Sequence, residues 1–587
     1  MRMRFLFFLL TGLIAAEPSG KALQQAVQGV LAAYQDQGPR HLTPFLLEIA
    51  RHGHTLPQEQ KNQLQASGFN FNGPLVNRTL DTRAEATGLD QSYDDGYFRF
   101  HYTTTGTHAV STADTNSNGV PDYVELMASV FNEVSAIQLD SMGYVEPPSD
   151  GWLPPANDNG GSAHYDVYIR SLSSNTYGYV QPEYYANNNT GNNEHSAVQE
   201  VNAMTSYMAM RNNYNGFPNS ELENIQVTTA HEFYHAIQFG YDGWEKSWLM
   251  EASAVWMEEG VYDDINDCYQ YMSTWFNAPH IALDKESSHW YGSFIFFEYI
   301  YEHLGGAASI RRVWEKSINH DSYYGDYSHL AINEALATVG SSFRDALKKM
   351  VVANRILQAV TVPDIYSYEE ADAYPVTGPR SFQTVTFNTD STFSITSTNL
   401  NRYASQYIKV NTSDPISATL TNTSGPATDL DLLAILKHNN GSYTVWSGSP
   451  INVDPTALDW FYLVVVSQDT AGSDWNYQLI IENGQLDTSG PSHVPNKFLV
   501  SPAYPNPFNS VIHFQVQNDS TNKLQIVILD LNGHLTTTIY QGTLPMGNHP
   551  FTWDGKSFTG TPVASGTYFL YVASNHQEKW QKITLLK

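Results

Sequence analysis

TTAHEFYHAIQ, residues 228–238, followed by WLMEASAVWMEE at 248–259, decides how the rest of the chain is read. Placed on a helix, His231 and His235 lie four residues apart and project from one face, at a separation that suits two imidazole ligands on one Zn²⁺. Glu232 points beside the metal. A general base must sit there to take a proton from water whose pKa the zinc lowers to about 7. The motif thus holds two ligands and a base, and lacks a third ligand. Downstream acidic candidates are Asp242, Glu245, Glu251, Glu258 and Glu259. Asp242 and Glu245 fall in or just after the turn GYDGW that ends the first helix. Glu251 opens the next helix among Ala252, Ser253 and Ala254, small residues that let two helices approach closely. Glu251 is the expected third ligand, with Glu258, one helical face-repeat further on, as the alternative.

The succession HEFYH, an aromatic and glycine turn, then Glu251, Ala254 and Trp256 resembles the pattern of the secreted gluzincin-like bacterial metallopeptidases, over about residues 95–365. A metzincin would need a glycine at position 238 and a histidine at position 241, where this chain has Gln238 and Tyr241. The gap between His235 and Glu251 is shorter than in the best-known gluzincins. The resemblance implies an α+β, zincin-like catalytic domain at 95–365 and a zinc-dependent endopeptidase acting on a protein or peptide substrate. Peptidases of this type use a Tyr or His to stabilise the oxyanion opposite the zinc, and Tyr291, in the aromatic stretch HWYGSFIFFEYI at 289–300, is the candidate here.

A chain of 587 residues is long enough for several domains, each with its own core. A net charge of −29 argues against nucleic acid or an anionic membrane as partner, since both are polyanions. Cys268 is the single cysteine, so no internal disulfide can form. Residues 1–16 (MRMRFLFFLLTGLIAA) have a basic start, a short apolar run and small residues at the end, as a secretory signal peptide does. No other run reaches transmembrane length. The expected location is secreted or at the outer cell surface, after export through the periplasm. Residues 17–94 form a leader, helical at first, and a candidate propeptide. Leu23, Val27, Leu31 and Tyr34 make one apolar face, and Thr43 with Pro44 reads as an N-cap and first-turn proline.

Alternation in FRFHYTTT, from Tyr97 onward, opens the catalytic domain with a strand. In DTNSNGVPDYVE at 114–125, Asp114, Asn116, Asn118, Asp122 and Glu125 occupy positions 1, 3, 5, 9 and 12 of an EF-hand-type loop, with Gly119 at 6 and the Val120 carbonyl at 7. A structural Ca²⁺ is expected, the other reading being an Asx-rich turn that caps the following helix. A second strand, YDVYIR at 165–170, precedes an Asn- and Tyr-rich loop at 174–196 and then the zinc helix. In zincins that order leaves an edge strand along the cleft that can pair with an extended peptide.

Residues 370–484 carry alternating apolar runs separated by polar turns, which argues a β-sandwich. This stretch resembles the prepeptidase C-terminal type of accessory domain. A linker at 485–497 leads to residues 498–587, where YPNPFN (504–509), LQIVILDLNG, WDG (553–555), SGTYF (565–569) and a final Lys resemble, in order, the C-terminal sorting domain of type IX secretion cargo. That resemblance implies a second immunoglobulin-like sandwich and the type IX machinery as partner. The alternative function is a cell-surface adhesin or glycan-binding protein with an inactive zinc site, suggested by 37 Tyr, 12 Trp and the tandem sandwiches.

Overall fold

The computed structural model describes residues 20–34, 39–66, 83, 86–153, 159–186, 198–318, 327–359, 364–386, 392–468, 475–484, 498–518, 522–530, 534–545, 547–558, 560–573 and 578–587. The expected signal peptide (1–16) and linker (485–497) lie outside these. Among the described residues no helix is long and apolar enough to cross a membrane.

The leader contributes three helices, α1 (Gly20–Tyr34), α2 (Thr43–His52) and α3 (Gln58–Ala66). The main domain follows with strands β1 (Gln91–Asp95) and β2 (Phe98–Tyr102), helix α4 (Asp122–Ser135), and strands β3 (Tyr165–Arg170), β4 (Gly178–Tyr185) and β5 (Met204–Arg211). These form one sheet in the order β1-β2-β3-β5-β4. Strands β2, β3 and β5 run parallel, and β4 pairs antiparallel with β5 at the edge. Two expectations are corrected here. The stretch 174–196 is not simply a loop, because β4 lies within it. The edge strand is β4, whereas β3 is interior. YVQPEYY lacks the apolar run that marks β3, and its burial comes from what packs on it.

Side chains alternate across the β4–β5 pair as the period of two requires. Val180, Met208 and Met210 enter the main core, while Tyr179 and Ala209 turn to the other side and pack with Leu23, Val27, Val30, Leu46 and Ile49 of the leader. The leader is therefore docked on the sheet through its own small core. Under the opposite side lies α5 (Glu221–Asp242), which carries HEFYH; Ser220 and Glu223 form a capping box at its start. From Thr228 to Phe239 every residue of α5 is buried. Helix α6 (Ser247–Val261) packs across it.

Helices α7 (Met272–Asn277), α8 (His289–Gly292), α9 (Phe294–His303), α10 (Ala307–Ser317), α11 (Ser328–Ala337) and α12 (Phe343–Ile356) complete the domain. The aromatic stretch at 289–300 divides between α8 and α9 at Ser293, whose hydroxyl donates to the Leu283 carbonyl at 2.8 Å. Strands β6–β14 (Ser381–Asn483) make a sandwich of five- and four-stranded sheets, which packs Tyr407, Ile435 and Tyr462 against the helical core. Strands β15–β21 (Phe498–Leu585) make a second sandwich with its own core around Trp553, Phe514 and Ile526. The chain is thus multidomain, with helices and a mixed sheet followed by two all-β units.

Candidate metal centre

Helix α5 brings His231 and His235 to one face, with their Nε2 atoms 3.1 Å apart. Glu251, in the first turns of α6, approaches the same point, with Oε1 3.1 Å from His235 Nε2 and Oε2 3.7 Å from His231 Nε2. All three residues are at most 1% exposed. What sets this geometry is the close contact of α5 and α6. Gln238 Nε2 donates to the Met250 carbonyl at 3.0 Å and to Ser253 Oγ at 3.2 Å, pinning the two helices where α6 presents small residues.

The outer nitrogens are fixed as well. His235 Nδ1 is 2.8 Å from Gln238 Oε1, and His231 Nδ1 is 2.7 Å from Glu258 Oε1. Both partners are acceptors there, so each Nδ1 carries a proton and each Nε2 is the ring nitrogen turned toward the other and toward Glu251. Glu251 Oε2 is buried with no hydrogen-bond partner. Two facing Nε2 atoms, once unprotonated, and an orphaned carboxylate oxygen form a donor set of two nitrogens and one oxygen that fits Zn²⁺. Glu258, weighed as a ligand on the sequence, lies on the far side of His231 and orients it. The other acidic candidates are engaged elsewhere. Asp242 Oδ1 accepts from Trp244 N, Glu245 accepts from the backbone N–H groups of Lys246 and Tyr327, and Glu259 accepts from Cys268.

The protonation directions reflect the negative charge that faces these rings. Burial alone would push the His231 imidazole down, but hydrogen bonds to Glu251 and Glu258 outweigh it and hold the ring up at about 10. Burial alone would push the Glu251 carboxyl up, yet the His235 and His231 rings that face it hold it down at about 2. Glu258 is pushed up to about 7 by burial. Glu232 is raised above the ordinary carboxylate range by burial, with the two imidazoles and a hydrogen bond from Thr43 acting against it.

His41, Tyr271 and Thr43, none of which the sequence marked as part of the site, stand over this centre. His41 stacks on His231, ring centroids 4.4 Å apart, and its Nε2 lies 2.7 Å from the Tyr271 hydroxyl. Thr43 Oγ1 donates to Glu232 Oε2 at 2.8 Å and accepts from Val180 N at 2.9 Å. Thr43 is therefore not the N-cap expected of it: α2 starts at Thr43 itself, Leu42 occupies the cap, and the hydroxyl reaches across to α5. Tyr291 lines the same wall, its ring centroid 4.9 Å from His41 and 5.1 Å from Tyr271. Its hydroxyl is held well above the ordinary phenol range by burial and then by the Glu251 charge. Nothing in the sequence around RHLT marks these contacts, which bridge about 190 residues and exist only once the leader is docked.

The loop at 114–125 carries a separate group of candidate oxygen ligands, exposed from Thr115 to Gly119. Asp114 accepts from the backbone N–H groups of Asn118 (3.1 Å) and Gly119 (2.9 Å), Gly119 has φ +90°, and the amides of Asn116 and Asn118 turn to the Glu125 carboxylate. Asp122 opens α4, and both its oxygens accept from Thr115, at 2.8 and 2.6 Å. Asp114, Asn116, Asn118 and Glu125 thus converge, while Asp122 closes the turn and Val120 N donates to Asn118 Oδ1.

Comparison with known proteins bears on two parts of the chain. Residues 206–352, which span α5 and α6, match a family described as a family of unknown function (DUF6055). Among curated proteins, the basal-body rod modification protein FlgD of Salmonella typhimurium is 36% identical over 55 residues, 9% of this chain and 24% of that protein, and its Salmonella typhi counterpart matches equally. The chain spans about a quarter of the length of these curated relatives. Solved structures with some similarity are dimeric latent PorU (13% identity, 35% of this chain and 19% of that one, TM-score 0.15) and PorZ (14%, 26% and 30%, 0.12), both of Porphyromonas gingivalis. A Faecalibacterium prausnitzii β-glucuronidase is a third, at 10% identity over 29% of this chain and 37% of that one, with TM-score 0.12. TM-scores this low carry no argument about fold or function. Residues 508–578 match the FlgD Ig-like domain, so the chain ends in an immunoglobulin-like domain.

Proposed function

We propose that the protein is a secreted zinc-dependent endopeptidase with a zincin-like catalytic domain, in which His231, His235 and Glu251 hold the metal and Glu232 is the general base. The observation that carries this reading is the convergence of two imidazole Nε2 atoms and the unpartnered Glu251 oxygen, with a second carboxylate, that of Glu232, held separately beside them. Zinc bound there would supply Lewis acidity to a carbonyl and to water. Glu232, buried and with a raised pKa, is suited to take a proton from water and return it to the leaving amine. Gln238 and Glu258 keep the two imidazoles in the tautomer that ligation needs. Tyr291, beside His41 and Tyr271, is the proposed oxyanion donor, and the edge of β4 away from β5 is the proposed strand for pairing with an extended peptide.

The loop at 114–125 is proposed to hold a structural Ca²⁺ through Asp114, Asn116, Asn118, the Val120 carbonyl and Glu125, with Asp122 closing it. Residues 498–587 are proposed to serve as a type IX secretion sorting domain, on the motifs quoted above and the immunoglobulin-like match. The deciding experiment is metal analysis of the purified chain together with casein digestion in the presence and absence of 1,10-phenanthroline. About one zinc per chain and chelator-sensitive digestion are expected. Absence of zinc, or digestion indifferent to the chelator, would overturn the assignment.

A further inference from the structure

The side of the metal centre that a substrate must approach is covered by the chain's own leader. Residues 39–43 lie along the start of β4. Thr176 Oγ1 donates to the Pro39 carbonyl at 2.7 Å, Tyr177 N donates to the Arg40 carbonyl at 3.3 Å, His41 forms a parallel β-bridge with Gly178, and Val180 N donates to Thr43 Oγ1. These are the edge-strand groups an extended peptide would use. A Cβ at Gly178 would meet Thr228 Cγ2 of α5 at 2.9 Å, so the glycine lets this end of β4 lie close on the helix that carries His231.

Two side chains of the segment, His41 and Thr43, engage groups of the centre, and a third, Arg40, anchors it. His41, 6% exposed, lies over His231, and one of its ring nitrogens is within 4.8 Å of a His231 nitrogen and a Glu232 oxygen. Thr43 occupies Glu232 Oε2. Arg40 anchors the segment by pairing with Asp267, donating to Gln270 Oε1 at 2.8 Å and standing 3.9 Å over the Tyr177 ring.

We propose that residues 39–43 are an inhibitory segment that keeps the centre latent, with His41 as the cover over the ligand face and Thr43 as the clamp on the base. The inference rests on the peptidase reading for its purpose, but the covering is a matter of geometry and can be measured without turnover. Full activity then requires the leader to leave; most of its apolar contacts lie in the separate core on Tyr179 and Ala209, and only Leu47 and Ala50 of α2 reach into the main core.

The test uses the full chain loaded with Co²⁺ and follows acetohydroxamate binding by the visible spectrum, with fluorescent casein hydrolysis by the zinc form alongside. His41→Gly should bind acetohydroxamate at least tenfold more tightly than wild type and hydrolyse casein at least tenfold faster. His41→Phe, which keeps a ring over His231, should stay closed. Arg40→Ala, which loosens the anchor and leaves His41 in place, should show a smaller gain and serves if His41→Gly does not fold. Equal hydroxamate affinity in wild type, His41→Gly and Arg40→Ala would overturn the inference. A gain in hydroxamate affinity with no casein hydrolysis by any form would sustain the covering role and overturn the peptidase reading instead.

Discussion

Glu258 is the residue on which the ligand assignment can be tested most sharply, because the sequence allowed it as a ligand and the geometry makes it an orienting partner. Its carboxylate oxygen stands 2.7 Å from His231 Nδ1, in a site where neither side chain is more than 3% exposed. In Glu258→Gln the amide oxygen can still accept from Nδ1, so the ring keeps its orientation and loses only the charge behind it. Loss of such a partner lowers metal affinity by about 10–100-fold, or ~1.4–2.7 kcal/mol, and the glutamine variant should fall at the low end. Glu258→Ala leaves a buried imidazole N–H without an acceptor, which adds about 1–3 kcal/mol of destabilisation, so it should show weaker zinc binding and a lower melting temperature together. Glu251→Gln removes a donor to the metal itself and should fall well outside that window. Competitive zinc titration against a fluorescent chelator, run on all three variants and wild type, provides the comparison. If Glu258→Gln lost zinc as completely as Glu251→Gln, the ligand would lie further along α6 and the reading of the tautomers would be wrong.

Three further predictions follow from separate parts of the molecule. Glu232→Gln should retain its zinc and lose casein hydrolysis by about 10²–10⁴-fold, the range of a positioned proton-transfer group; undiminished hydrolysis would place the chemistry elsewhere. Millimolar Ca²⁺ should raise the melting temperature of the zinc-loaded chain, by the equivalent of ~2.7 kcal/mol at a hundredfold excess over Kd, and Asp114→Ala should abolish the rise; an equal calcium response in both would leave 114–125 as a helix-capping turn. On α9, Glu302 is pushed up to about 7 by burial, with neighbouring Glu369 and Glu370 also raising it, and Glu298 is raised further by burial and by Glu302. The folded state therefore binds more protons than the unfolded one from the ordinary glutamate pKa of about 4.3 up to 7, so stability present below that interval is lost as pH rises through it. Glu302→Gln should flatten this fall in melting temperature between pH 5 and 8, and an unchanged profile would refute it.

Local sequence determined the part of the site that one helix can hold. His231, Glu232 and His235 are set by a spacing of four on a 3.6-residue turn, and the capping box at Ser220 and Glu223 and the helical run to Asp242 make that helix unavoidable. The same periodicity left Glu258 open as an alternative to the expected Glu251, since the two are seven residues apart and project from one face of α6. Only the crossing of α6 over α5, held by Gln238 on the Met250 carbonyl, puts Glu251 at the Nε2 side of the imidazoles and Glu258 behind His231. The strand β4 was hidden because edge position and burial are properties of the sheet and of the leader packed on it. Thr43 shows the limit most clearly: its hydroxyl and the following proline read locally as a helix cap, yet the hydroxyl serves Glu232 and Val180 instead. Short-range geometry is written in residue spacing, whereas contacts across two hundred residues depend on how whole elements dock, and no local pattern encodes that.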